Sequence, residues 1–234
     1  MNKELTFKVK NYLLDLIFPK YCLGCGREGD WLCPTCLKKI VFVKSQTCPG
    51  CGRLSQDGKF CPRCLKPHGL RGIVVACYFE EGPIRELIHN FKYNHILELG
   101  NFLGKILAET LKENFNLKEN ILIVPVPLYW LRENQRGYNQ AEILAREVSK
   151  ILQLPFGKIL LKKRGTKRQV DLKGRERRSN LKKVFQIKSK IDLTRKTVIL
   201  VDDITTTGTT LQECAKILRQ AGAKRVWGLV VARG

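Results

Sequence analysis

The chain has 234 residues, of which 44% are hydrophobic, so it is long enough for one full domain with a real core and a small additional module. Its 43 Lys and Arg outnumber 21 Asp and Glu. The resulting net charge of +22 favours polyanionic partners such as nucleic acid, an anionic membrane surface or polyphosphate substrates. No apolar run is long enough to cross a bilayer, so we expect no transmembrane segment.

Residues 1–19 are predicted to form a short amphipathic helix. Asp15 interrupts the apolar run Leu13–Phe18, and no small-residue cleavage site follows, which argues against a signal peptide. An interfacial membrane helix is an alternative to packing of this segment on its own protein. We expect a cytoplasmic location, in which the cysteines stay reduced.

Residues 20–67 hold eight of the ten cysteines in four Cys-x-x-Cys pairs, which predict a double zinc ribbon with two structural Zn²⁺ sites. Pairing in sequence order is the simplest arrangement, and a crossed pairing stays open. Disulfides are disfavoured by the missing secretion signal, and iron–sulfur cysteines are spaced differently. The predicted zinc ligands are Cys22, Cys25, Cys33, Cys36, Cys48, Cys51, Cys61 and Cys64.

Residues 68–234 alternate short apolar runs with amphipathic segments, which predicts an α/β domain with a parallel sheet flanked by helices. Helices are expected after Pro83, around Leu103, around Leu144 and around Leu218. Cys77 and Cys214 lie in apolar patterns and are predicted core residues. The predicted strands are 73–77, 121–124, 159–161, 198–201 and 226–231.

The most informative stretch is 198–210. A buried apolar strand ends at Asp202 and Asp203, and a loop with five threonines and Gly208 then opens a helix. Backbone N–H groups of such a loop and helix terminus favour phosphate, and the threonine hydroxyls can add donors. Ligands bind at the carboxyl ends of strands in open parallel sheets. An ordinary polar cap explains the stretch poorly, because a cap needs only one Ser, Thr or Asp.

This stretch resembles the phosphoribosyl-pyrophosphate (PRPP) loop of the type I phosphoribosyltransferases. Three further segments extend the resemblance: Phe79–Tyr93, Pro125–Ala141 and Arg164–Phe185. Together with the leading cysteine pairs, they are similar to the ComF family, bacterial competence-associated proteins with a double zinc ribbon and a phosphoribosyltransferase-like domain. The resemblance covers nearly the whole chain and implies the type I phosphoribosyltransferase fold.

The resemblance also implies roles for individual residues. Asp202 and Asp203 would hold the ribose 2′- and 3′-hydroxyls of PRPP, and Mg²⁺ would bridge pyrophosphate and ribose oxygens. Arg132 and Arg136 would supply guanidinium groups to phosphate oxygens and complete the predicted catalytic set. The other predicted ligand-binding residues are Val126 and Pro127 in the pyrophosphate loop and Thr205, Thr206, Thr207, Gly208, Thr209 and Thr210 in the PRPP loop.

The chain departs from related proteins at two positions, of which the first disfavours purine salvage and the second is expected to alter the turn of the predicted lid. Thr206 stands where purine-salvage enzymes have an Asp that can act as a general base, and a threonine cannot readily replace it. Asp171 stands where ComF proteins usually have Gly. Residues 158–190 carry 14 Lys and Arg against Asp171 and Glu176. They lie where related enzymes have a lid over the sugar phosphate, although a solvated charge run is the alternative.

Two functions fit these observations. The first is a Mg²⁺-dependent phosphoribosyltransferase that takes PRPP and an unidentified acceptor. The second is a nucleic-acid-handling protein in DNA uptake that uses the fold as a sensor or scaffold. In that case the zinc ribbons and the basic stretch would contact single-stranded DNA, a competence helicase or other DNA-processing proteins, which fits the charge of +22.

Overall fold

The computed structural model describes residues 19–66, 69–117, 120–163, 184–188 and 191–234. The predicted helix over residues 1–19 therefore lies outside the described residues, apart from its last one. In chain order the elements are α1 (Pro34–Leu37), a 3-10 helix (Gln56–Gly58), β1 (Gly72–Tyr78), α2 (Ile84–Tyr93), α3 (Glu98–Asn114), β2 (Ile121–Pro125), α4 (Trp130–Arg136), α5 (Gln140–Leu152), β3 (Leu160–Lys162), β4 (Phe185–Ile187), β5 (Thr197–Thr205), α6 (Thr209–Gln220) and β6 (Arg225–Arg233).

A parallel four-stranded sheet in the order β1-β6-β5-β2 forms the centre of the larger domain. The apolar runs form these strands because strands of a parallel sheet are buried on both faces. Strand β5 is central: Ile199 pairs with Trp227 of β6 on one side and with Ile123 of β2 on the other. The predicted parallel sheet with flanking helices is confirmed.

Helices cover both faces of this sheet. Helices α2, α3 and α5 bury one apolar side each in a core that includes Leu87, Leu103 and Leu144. Helix α6 packs on the opposite face through Leu211 and Leu218. Among the described residues, none of the helices is long and apolar enough to cross a bilayer.

The prediction for residues 159–161 was wrong about the sheet to which they belong. Strand β3 pairs antiparallel with β4 in a separate two-stranded ribbon, in which Leu160 faces Ile187 and Lys162 faces Phe185. A three-residue apolar run carries no signal for strand direction, and its partner lies beyond the long basic segment that follows. This β3–β4 ribbon lies beside the loop that follows β2, because Tyr129 of that loop forms a bridge with Lys162.

The cysteine-rich segment docks along the outer edge of β1. Val43 N donates to Ala76 O at 2.9 Å, and Tyr78 N donates to Val41 O at 3.0 Å. Next to these bonds, the Gln46 side chain pairs with Val75 of β1 as a strand backbone would. Its Oε1 accepts from Val75 N at 3.0 Å, and its Nε2 donates to Val75 O at 2.9 Å. The edge of the sheet is therefore covered rather than open to another chain.

We predict that Gln46→Leu lowers the free energy of unfolding by about 1–3 kcal/mol, because it leaves buried polar groups of Val75 without partners. Urea denaturation in the presence of zinc measures this difference. Gln56→Ala, an exposed glutamine in the same segment, is the matched control and should change stability by less than about 0.5 kcal/mol. Equal stability of both variants and the wild type would contradict the edge contact.

Candidate functional site

Two clusters of four cysteines form in sequence order. Cys22, Cys25, Cys33 and Cys36 make the first cluster, and Cys48, Cys51, Cys61 and Cys64 make the second; in each, all four sulfur atoms lie within 4.8 Å of one another. Sulfur atoms about 2.3 Å from one tetrahedral Zn²⁺ are about 3.8 Å apart. The Sγ atoms of Cys25 and Cys33, and those of Cys51 and Cys61, are 3.8 Å apart. Both clusters therefore fit zinc, and the sequence-order pairing is confirmed.

The two clusters repeat one another in detail. Cys33 N donates to Cys22 Sγ at 3.3 Å, and Cys61 N donates to Cys48 Sγ at 3.3 Å. Burial raises the pKa of these acceptor thiols, but backbone N–H donors outweigh burial and lower the pKa of Cys22 and of Cys48 to about 6. Thiolate is the form that binds metal, so these backbone donors favour metal binding by each Cys-x-x-Cys turn, which we call a knuckle.

The two predicted acids lie within β5 and face opposite sides of the sheet, because successive strand side chains alternate. The strand continues to Thr205, past the acids. Asp203 is 5% exposed and forms an ion pair with Lys92 of α2, with Nζ 3.0 Å from Oδ1. The same Oδ1 accepts from Ile204 N at 2.6 Å. A buried carboxylate is tolerated here because a cation and a backbone N–H both satisfy it.

Asp202 faces the side of α6 and the β3–β4 ribbon. Burial, followed by the charge of Asp203, raises the pKa of Asp202 to about 7. The charge of Lys162 opposes this shift, and burial followed by the charge of Asp202 raises the pKa of the nearby Cys214 thiol. Burial and then the charge of Arg132 lower the pKa of Lys162. The predicted residue Arg132, which is exposed, therefore lies near enough to Lys162 for its charge to act there.

The predicted phosphate loop connects β5 to α6. Gly208 has φ +71° and is the residue before the first helical turn, which has no side-chain cap. A Cβ at Gly208 would lie 2.9 Å from Ile73 Cδ1, so the loop needs glycine for both conformation and space. Thr205 is buried, and Thr207 and Thr209 join their hydroxyls at 2.8 Å. The threonines exposed around the helix terminus are Thr206, Thr207, Thr209 and Thr210.

Arg233, at the end of β6, ties this loop to the second cysteine cluster. Its Nε donates to Thr206 O at 3.3 Å, and its NH2 group donates to Pro49 O at 3.0 Å. Pro49 lies between Cys48 and Cys51 in the metal knuckle. One guanidinium therefore holds the phosphate loop and the knuckle in a fixed relation.

The predicted pyrophosphate loop follows β2 beside β5. Val126 is buried, and its N donates to Val201 O at 2.9 Å, while Pro127 is half-buried. Asn139 caps α5 and donates to Val126 O at 3.1 Å, which fixes the loop on the helix. Both loops consequently leave the same edge of the sheet.

Arg136 is held at the margin of this edge. Its guanidinium lies 5.0 Å from the centre of the Tyr93 ring and donates to Gln140 Oε1 at 3.2 Å. Gln140 is buried, and its Nε2 has no hydrogen-bond partner among the described residues. The predicted lid, residues 158–190, lies mostly outside the described residues. The residues on either side of its undescribed part are joined by a hydrogen bond, in which Lys163 N donates to Val184 O at 2.8 Å.

Three charged residues of this region were not predicted as site residues. The sequence marks Lys92 only as part of the segment Phe79–Tyr93 and Lys162 only as part of the basic run 158–190. It gives no signal for Arg233. Their partners are distant in sequence, so no local spacing marks them. The signal available for Lys92 was its position on the apolar side of a predicted helix, where an unpaired lysine is costly.

These features define the class of the protein as a phosphoribosyltransferase-type α/β fold with a double zinc ribbon. The family described as double zinc ribbon domain matches residues 13–65, and the family described as phosphoribosyl transferase domain matches residues 136–233. A purine phosphoribosyltransferase structure from Pyrococcus horikoshii superposes with a TM-score of 0.36 at 23% identity, over 57% of this chain and 73% of that chain.

Three relatives match over most of their length. Competence protein F of Haemophilus influenzae is 35% identical over 90% of this chain and 96% of its own. DNA utilization protein YhgH of Escherichia coli K12 is 32% identical over 92% and 98%, respectively. Competence protein ComFC of Streptococcus pneumoniae is 28% identical over 88% and 84%. The chain belongs to the competence protein F (ComF) family, as its sequence motifs indicated.

We predict that the purified protein binds two Zn²⁺ per chain and that Cys25→Ser and Cys51→Ser each leave one, because each removes one thiolate from a different cluster. Metal content per chain after dialysis, measured by mass spectrometry, tests this. Cys77→Ala removes a buried thiol outside the clusters and should leave both metals. A wild-type content of one or none would contradict the two-site assignment.

We predict that Lys92→Met lowers the free energy of unfolding by about 3–5 kcal/mol, because the buried Asp203 carboxylate loses its counter-charge. The double variant Lys92→Met/Asp203→Asn should recover much of this loss, since no uncompensated charge remains. Lys105→Met, on the exposed side of α3, is the control. Strictly additive effects in this double-mutant cycle would contradict the ion pair.

Proposed function

We propose that this chain binds PRPP with Mg²⁺ at the carboxyl edge of its sheet and transfers the phosphoribosyl group to an acceptor. One observation carries the proposal. Asp202 and Asp203 lie directly before a threonine-rich loop that ends in an uncapped helix N-terminus, and Lys92, Lys162 and Arg132 surround them. Acids for a diol, N–H groups for a phosphate and cations for a polyphosphate are the donor and acceptor set that PRPP requires.

The proposed binding mode assigns each group of residues to one part of PRPP. The Asp202 carboxylate accepts hydrogen bonds from the ribose hydroxyls, and residues 206–210 donate to the 5′-phosphate. Asp203, predicted to share this role, points to the other face of the sheet, where it is buried and paired with Lys92. Val126 and Pro127 lie along the pyrophosphate. The carboxylate oxygens of the acids are also the donor type that Mg²⁺ prefers, so this edge fits the ion. When bound, Mg²⁺ neutralises charge on the pyrophosphate oxygens.

The proposed reaction is a displacement at the anomeric carbon. The bond from that carbon to a pyrophosphate oxygen breaks, its electron pair leaves with pyrophosphate, and the acceptor supplies the pair for the new bond. Arg132 and Lys162 stabilise the charge that develops on the leaving group, and Asp202 holds the ribose in place. Because Thr206 is a poor base, the proposal favours an acceptor that needs no deprotonation by the loop.

We place this activity in DNA uptake and natural transformation, in the cytoplasm. Names of relatives support the first part, since they are called competence and DNA utilization proteins. The two thiol clusters support a reducing compartment. A second candidate function is binding of single-stranded DNA or of a competence helicase without catalysis. The net charge of +22 and the same relatives favour it.

Calorimetric titration of the zinc-loaded protein with PRPP and Mg²⁺ tests the proposal. We expect micromolar binding, and we expect Asp202→Asn to weaken it at least about tenfold, which is the worth of one charge-assisted hydrogen bond to the ligand. Glu109→Gln, an exposed residue of α3, is the charge-matched control and should bind like the wild type. Absence of binding to the folded wild type, or equal binding by Asp202→Asn, would refute the proposed site.

The pH dependence follows from the raised pKa of Asp202. Below about pH 7 this carboxyl is protonated and accepts hydrogen bonds less strongly, so PRPP affinity should increase as pH rises through 7. Stability should do the opposite. Between about pH 4 and 7 the folded state binds more protons at this residue than the unfolded state, so the free energy of unfolding falls as pH rises. In Asp202→Asn, neither PRPP affinity nor the free energy of unfolding should show the part of the pH dependence that comes from this carboxyl. Any pH dependence of PRPP binding that the variant keeps measures ionisation of the ligand phosphates and is subtracted from that of the wild type.

A further inference from the structure

A basic recess lies outside the sugar-phosphate site, where the end of the second ribbon meets the larger domain. Its volume is about 520 Å³. Five of its seven described lining residues are Lys or Arg, and none is acidic. The lining residues are Leu65, Lys66, Gly69, Arg71, Arg219, Lys224 and Arg225.

The recess lies at the amino-terminal ends of the strands, whereas the phosphate loop lies at the carboxyl-terminal ends. Arg71 directly precedes β1, and its N donates to Val226 O at 2.8 Å. Arg225 begins β6, whereas Arg233 ends it beside the phosphate loop. Eight strand residues at about 3.3 Å each separate these two ends by roughly 26 Å. Gly69, another lining residue, lies against Gln212 in the first turn of α6. A ligand centred on Arg71 and Arg225 therefore lies at the strand end opposite Asp202.

The positive charge continues beyond the recess along the same edge. Lys224 N donates to Lys196 O at 2.9 Å, which places Arg195 and Lys196, at the start of β5, beside it. Asp192 also lies at this end of the sheet, and its carboxylate accepts from Thr194 N at 2.8 Å. Arg71, Lys224, Arg225, Arg195 and Lys196 thus form a row of cations, which we call the track. It crosses the amino-terminal ends of β1, β6 and β5.

Arg219 gives the recess a fixed wall. Its guanidinium donates to the carbonyl oxygens of Ala223 and Lys224, at the end of α6. Lys66, Arg71 and Lys224 are exposed around it and can turn toward a bound anion. One held cation surrounded by exposed ones is suited to successive phosphates along a chain.

The shape and composition of the recess select the kind of polyanion. Its volume lies within the roughly 300–1,000 Å³ of small-ligand sites, a size that fits one or two nucleotide units of a single strand. The described lining contains no aromatic residue on which a base could stack. Recognition would therefore act through the phosphodiester backbone, which is sequence-independent.

We propose that this recess and the track beside it bind the phosphodiester backbone of single-stranded nucleic acid. The inference rests on the second candidate function above, and it gives that function a location. It is independent of the PRPP site, because the two lie at opposite edges of the sheet. A strand bound here would lie against the second zinc ribbon, and the carboxyl edge would remain open to a sugar phosphate.

Fluorescence anisotropy of a labelled 20-residue oligothymidylate, titrated with the zinc-loaded full chain at several salt concentrations, tests the proposal. We compare the triple variant Lys66→Gln/Arg71→Gln/Lys224→Gln with Lys38→Gln/Lys39→Gln/Lys105→Gln, which removes three exposed charges elsewhere. Each lost phosphate contact lowers the slope of log affinity against log salt by about 0.7 for single strands. The recess variant should lose about 2 in slope and at least about tenfold in affinity at low salt, and the control should change little.

Equal losses in both triple variants, or wild-type binding by the recess variant, would overturn the proposal. Equal competition by a duplex of the same length would overturn its single-stranded part. An oligouridylate should compete as well as oligothymidylate if the backbone is read. Zinc content and the unfolding midpoint confirm that each variant is folded. The recess variant should retain PRPP binding and Asp202→Asn should retain DNA binding, so failure of either proposal leaves the other testable.

Discussion

Burial of the central strand β5 is the constraint on which the site depends. The strand lies between β6 and β2 and carries two adjacent acids into the sheet, where their side chains must point to opposite faces. Lys92 compensates Asp203 on one face, and Asp202 on the other has a raised pKa near Lys162. Helix α2 and the β3–β4 ribbon therefore each bring a lysine to the same edge, and the loops after β2 and β5 leave the sheet between them.

The cysteine clusters extend this arrangement to the rest of the chain. The segment between them pairs with the free edge of β1 through Val41, Val43 and Gln46, so the ribbons complete the sheet. Small metal-binding modules commonly need their metal to fold, so we expect the edge contact to depend on zinc. Arg233 then links the second knuckle to Thr206 in the phosphate loop. We therefore expect bound zinc to influence the position of the phosphate loop through Arg233.

Much of this architecture could be predicted from sequence because its signals are local. Buried parallel strands give continuous apolar runs, and 121–124 was found as Ile121–Pro125. The cysteine spacing predicted both clusters. The pairing of β3 with β4 was missed, because strand direction depends on residues that follow a long basic segment. Lys92 and Arg233 were missed because each acts through a partner far along the chain, and the recess escaped notice because its cations come from three separate segments.

The central claim is that the loop between β5 and α6 binds the 5′-phosphate of PRPP. Hydrogen exchange of backbone amides tests it most directly, because it reports on the amides of that loop. The zinc-loaded chain is compared with and without PRPP and Mg²⁺, with Asp202→Asn alongside. We expect the amides of residues 206–211 to become protected by at least about tenfold with ligand, because the helix N-terminus then donates to a phosphate. Amides near Lys224 should be unchanged, and Asp202→Asn should show reduced protection. Unchanged exchange in the loop of the folded wild type at saturating PRPP would contradict the account.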